Sequence, residues 1–90
     1  MSEANGDRWE MRHVIVRAMK RQRRQRGVSA KAISLELGMP WFAVANIENG
    51  MAWMPDRVRV YLGWLGYGGD YFALERFLLA EQIKADQGAK

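Results

Sequence analysis

The stretch that most constrains this chain runs from Ser29 to Gly50, SAKAISLELGMPWFAVANIENG. Its spacing predicts a short helix, a tight turn and a second helix. Ser29 stands where an N-cap belongs, because its hydroxyl accepts from the free N–H groups of a first turn. Ala30 to Leu37 are mostly good helix formers, and Ile33 and Leu37 recur at i and i+4 on one face. Gly38 takes the left-handed backbone that ends a helix. Pro40, with φ preset and no N–H to lose, opens the next one. Val44 and Ile47 give this helix, Pro40 to Asn49, an inward side, and Gly50 stops it. Two helices with so short a joint cannot lie antiparallel, so they cross steeply.

The flanking chain predicts three further helices. From about Arg8 to Arg26, Met11, Val14, Ile15, Ala18 and Met19 fall at i, i+3, i+4, i+7 and i+8, a buried stripe. Arg17, Lys20, Arg21 and Arg24 share a similar spacing on the opposite side, where a solvated face is the plain explanation. Gly27 ends that helix and Val28 enters the core. Pro55 and Asp56 start a fourth helix with Val58, Tyr61, Leu62 and Leu65 inward, closed by Gly66. Arg57 and Arg59 near its start are either solvated or within reach of a phosphate. Tyr67-Gly68-Gly69 reads as a joint, and Asp70 as the N-cap of a fifth helix from Tyr71 to about Ala85. Tyr71, Phe72, Leu74, Phe77, Leu78, Leu79 and Ile83 cover more than one stripe of it. One face docks on the body and the other is available to a second copy. Residues 1–7 and 86–90 are expected to be disordered or frayed, leaving one helical domain over 8–85.

Ninety residues allow one modest core, and 49% apolar content excludes wholesale disorder. With no cysteine, disulfides and thiolate metal sites are excluded. No apolar run nears the ~20 residues of a membrane span and no signal-peptide pattern precedes Trp9, so a cytoplasmic protein is expected. Neither a strand nor an internal repeat is apparent. The charge is unevenly placed. Arg8 to Lys31 holds nine basic residues against one acid, a net +8, whereas the rest holds five against nine, a net −4. Such polarity suits a chain that meets a polyanion along one side.

Ser29, Ile33, Ser34, Leu37 and Gly38, followed at the right distance by Ile47-Glu48-Asn49-Gly50, resemble the Cro/repressor-type (Xre-type) helix-turn-helix regulators. The resemblance spans roughly residues 15–65. It implies an all-α, five-helix lambda-repressor-like DNA-binding domain with its helix-turn-helix at about 29–50. It further implies an ion pair between Arg23 and Glu48, because a partly buried carboxylate needs a fork of N–H donors. By the same resemblance the second of the two helices enters the major groove. Trp41, Phe42, Ala45, Asn46 and Asn49 then face DNA, and Ser29 and Lys31 lie at a phosphate-binding helix start. Relatives often have glutamine where this chain has Ala30, so one contact is missing. Asn46 is the natural base reader, since an amide grips adenine N6 and N7 together, and Ala45 suits a thymine methyl.

Trp41 and Phe42 depart from the family, whose members usually place polar or basic side chains there. So does Met51-Ala52-Trp53-Met54, where relatives hold phosphates. Trp41, Phe42, Met51, Trp53 and Met54 can form one exposed apolar patch suited to a protein partner. Alternatively, Trp53 and Met54 fold back to fill a small core. His13 is the lone histidine, with no cysteine beside it, and no phosphate loop, nucleophile elbow or paired carboxylates are apparent. A non-enzyme without metal or cofactor is expected. Two activities follow: a sequence-specific DNA-binding regulator acting as a homodimer through the helix at 71–85, or the same scaffold turned into an antiactivator or co-regulator that binds protein through the Trp41/Phe42 face.

Overall fold

Five helices make up the computed structural model, which describes residues 2–88 and the side chains of residues 12–87. They are α1 (Ser2–Gln25), α2 (Ala30–Glu36), α3 (Ala43–Glu48), α4 (Pro55–Trp64) and α5 (Ala73–Gly88). There is no strand among the described residues. No helix there is long and apolar enough to cross a membrane.

α2 is specified locally at both ends. Ser29 Oγ accepts the Ala32 N–H at 3.1 Å, so the hydroxyl acts as a cap. At the other end the Gly38 N–H donates to the Leu35 carbonyl and the Met39 N–H to the Ser34 carbonyl, at 3.1 and 2.8 Å. This paired closure requires a left-handed residue between them, and Gly38 supplies it with φ of +73°. The same closure ends α3 at Gly50 and α4 at Gly66.

The core lies where the five helices converge. Met19, Ile33, Val44, Ile47, Tyr61, Leu62 and Phe77 are fully buried there. In α4 the expected inward set, Val58, Tyr61, Leu62 and Leu65, is buried throughout. In α1 the stripe is rotated from the expected one. Ile15, Val16, Ala18 and Met19 are buried with Gln22, whereas Val14 is 60% exposed. Gln22 is buried among them because its amide donates to Glu81 Oε2 at 3.2 Å and accepts from the Tyr67 hydroxyl at 3.1 Å. Val14 borders an open groove between α1 and α5, lined also by Leu78 and Glu81, which leaves it exposed. Met11, assigned to the same stripe, lies outside the described side chains.

Three boundaries also differ. α1 begins at Ser2 instead of Arg8, so residues 2–7, expected to be disordered, have helical backbone. α3 begins at Ala43 instead of Pro40, because Trp41 and Phe42 form a turn closed by the Ala43 N–H on the Pro40 carbonyl. α5 begins at Ala73, two residues after the expected start. Asp70 Oδ1 takes the Phe72 N–H at 2.9 Å, making a side-chain-closed turn ahead of the helix. It then runs past Ala85 to Gly88, helped by a Gln82–Asp86 hydrogen bond one turn apart. Met1, Ala89 and Lys90 lie outside the described residues.

Candidate functional site

The α2–turn–α3 unit is held by one small buried side chain. Ser34 Oγ donates to the Ala30 carbonyl at 2.9 Å and accepts the Val44 N–H at 3.0 Å. The first turn of a helix has no internal partners for its N–H groups, and here a serine ten residues upstream supplies one. Ser34 is fully buried, so a larger residue would push α2 and α3 apart.

A second polar group anchors the far end of α3. Arg23 grips Glu48 with Nε on Oε2 at 2.7 Å and Nη2 on Oε1 at 3.0 Å, while Nη1 donates to the Val28 carbonyl at 2.8 Å. This is the pairing implied by the family resemblance. The sequence did not single out its third member. The Tyr61 hydroxyl donates to Glu48 Oε2 at 2.6 Å, with the Met19 carbonyl 3.3 Å away. Burial, and secondly its bond to Glu48, push the Tyr61 phenol far above its ordinary pKa of 10.0. Its hydrogen bond to Glu48 raises the Arg23 pKa as well. A carboxylate so surrounded holds α1, α3 and α4 in one geometry.

These anchors decide which side of α3 meets solvent. Ala43, Val44, Ile47 and Glu48 are buried. Trp41 is 61% and Phe42 40% exposed, Ala45 and Asn46 are half-buried, and Asn49 is exposed. Trp41 and Phe42 pack edge to face, ring centroids 5.4 Å apart. The Asn46 backbone carbonyl closes the end of α3 by accepting from Met51 and Ala52. Its side-chain amide makes no hydrogen bond among the described residues and has no fully buried atom left unsatisfied. Ser29 spends its acceptor on the α2 cap, and Lys31 beside it is exposed.

Of the residues expected in one apolar patch, four are exposed and one is withdrawn. Met51 and Met54 are exposed after α3, and Trp41 and Phe42 before it. The six residues of α3 place about 9 Å between these groups at 1.5 Å per residue. Trp53 is half-buried and packs against the core, its ring 5.2 Å from the Arg12 guanidinium carbon. The attraction between a cation and a ring face helps hold it towards α1. Beside it, a cleft of about 200 Å³ opens between Arg12, His13 and Val16 of α1 and Gly50, Met51 and Trp53.

Around this unit, several basic side chains are already engaged. Arg59 pairs with Asp56 and lies over the Tyr71 ring at 4.6 Å. Arg26 donates to the Trp64 and Leu65 carbonyls at 2.9 and 2.5 Å, capping α4, and covers the Trp64 ring. Arg21 pairs with Glu81 at 3.1 Å. Lys20, Arg24, Lys31 and Arg57 make no ion pair among the described residues. No group of three or more His, Cys, Asp or Glu able to hold a metal occurs there either.

No protein-family model, curated protein or solved structure matches this chain.

Proposed function

We propose that the chain is a sequence-specific DNA-binding transcriptional regulator, a lambda-repressor-like helix-turn-helix domain of the Cro/repressor type acting as a homodimer. One observation carries this reading: α3 is sealed along Val44 and Ile47 and offers an unengaged Asn46 amide beside Ala45 on its other side. An amide held on a helix face can donate to and accept from one adenine edge at once. The +8 segment from Arg8 to Lys31 supplies long-range attraction to phosphates, and Lys20, Arg24, Lys31 and Arg57 make no ion pair among the described residues. Phe72, Leu79 and Ile83, exposed at i, i+7 and i+11 along α5 and its leading turn, form the face for a second copy. Two such copies would read half-sites about one helical turn apart.

Fluorescence anisotropy of labelled genomic duplexes, titrated with salt, tests the proposal. Affinity falls steeply as salt rises, with a log–log slope near −0.9 for every phosphate neutralised. Absence of duplex binding at low salt overturns it.

One observation favours a second reading. Trp41 and Phe42 present two apolar rings packed edge to face where a phosphate- or base-reading surface usually carries polar groups. A scaffold that captures another regulator by this pair would bind protein with an affinity that survives raised salt and is lost in Trp41→Ala.

A further inference from the structure

The outward side of α3 and the residues flanking it, Trp41, Phe42 and Asn49, carry amides and apolar groups but no charge, and that composition decides which base pairs the surface can recognise. We infer that this surface reads A·T-rich duplex DNA through thymine C5-methyl groups in the major groove, an inference that rests on the DNA-binding reading above. Guanine is gripped through O6 and N7 by arginine or lysine, and cytosine N4 donates to a carboxylate. Trp41, Phe42, Ala45, Asn46 and Asn49 include neither kind of group. What they do supply matches the two edges of an A·T pair. The unengaged Asn46 amide suits adenine N6 and N7. The half-buried Ala45 methyl and the exposed Trp41 and Phe42 rings suit the thymine methyl, the one apolar group on any base edge in that groove. The edge-to-face contact between the two rings joins them into one apolar surface against which a methyl can pack. The methyl is absent from the minor groove, so dependence on it also places the contact in the major groove.

The test changes the DNA and leaves the protein intact. Binding of the full chain to three synthetic alternating duplexes is measured at one low salt concentration: poly(dA-dT), poly(dA-dU) and poly(dG-dC). Replacing thymine by uracil removes only the methyl, and burying one such group is worth about a fourfold change in affinity. The inference predicts poly(dA-dT) bound tightest, poly(dA-dU) weaker by about fourfold or more for each methyl contacted, and poly(dG-dC) weakest. Restoring a methyl to the cytosines, as poly(dG-dm5C), recovers part of the loss. In Trp41→Ala and, independently, Phe42→Ala, the ratio between the thymine and uracil duplexes shrinks while salt-dependent binding persists. Salt-dependent binding with equal affinity for the thymine and uracil duplexes overturns this inference and leaves the DNA-binding reading standing. Failure to bind any of the duplexes overturns both.

Discussion

Ser34 Oγ sits between two helices, donating to the Ala30 carbonyl of its own helix and accepting the Val44 N–H of the next. The hydroxyl itself is fully buried, so it fixes where α3 begins as well as how closely α2 lies against it. The placement of Asn46 and Trp41 at the surface follows from that anchor. Ser34→Ala keeps the small size but leaves the Val44 N–H without a partner. A loss of about 1–3 kcal/mol is expected in chemical denaturation, the desolvation cost of one orphaned buried donor. A stability equal to the parent chain's would mean that Val44 finds another acceptor.

The Arg23–Glu48–Tyr61 cluster predicts a larger effect. Arg23→Met leaves the Glu48 carboxylate buried and unmatched, and a loss of about 3–5 kcal/mol is expected. Arg23→Lys does not restore it, because a single ammonium cannot make the two parallel bonds seen here.

The same cluster has an alkaline signature. The Tyr61 phenol titrates well above 10.0 in the folded state, chiefly because of burial. The folded form therefore holds its proton where the unfolded chain releases it. Its contribution is complete below about pH 10 and is lost progressively above that value. Denaturation midpoints measured at rising alkaline pH fall more steeply in the parent chain than in Tyr61→Phe.

Gly63 lies against the loop that precedes α5. A Cβ there would meet the Gly69 Cα at 3.2 Å and its nitrogen at 3.4 Å, both backbone atoms. Alanine normally gains about 1 kcal/mol over glycine in a helix. Here the overpacking cost of about 1–3 kcal/mol outweighs that gain, so Gly63→Ala lowers Tm.

Much of this architecture was legible locally. Ser29, Gly38, Gly50 and Gly66 mark helix ends by side-chain or backbone chemistry that needs no distant partner. The inward set of α4 follows from spacing alone. What escaped was decided by contacts far along the chain. The burial of Gln22 in α1 depends on Tyr67 and Glu81, both distant in sequence. The start of α3 depends on Ser34, ten residues earlier. Tyr67 read as part of a flexible joint, yet its ring packs edge to face on Phe77 at 5.1 Å. At the candidate site, the burial pattern of α3 followed from Val44 and Ile47. For Trp53 the sequence left both an exposed and a folded-back place open, and a contact with Arg12 in a different helix favours partial withdrawal, whereas Met54 stays exposed.

Asn46→Ala tests base reading without touching the core. An affinity loss of about 1–3 kcal/mol for a preferred duplex is expected, with relaxed preference at one base pair and an unchanged Tm. An unaltered affinity would reject Asn46 as a reader.

The most direct test of the account is radical footprinting of the unaltered chain, read residue by residue with and without saturating duplex DNA. Trp41, 61% exposed in the free protein, should label rapidly alone and be protected by the duplex, while Val14 on α1, 60% exposed, reacts equally in both states. Duplex binding that leaves Trp41 as reactive as before would contradict the claim that the outward side of α3 is the surface that meets DNA.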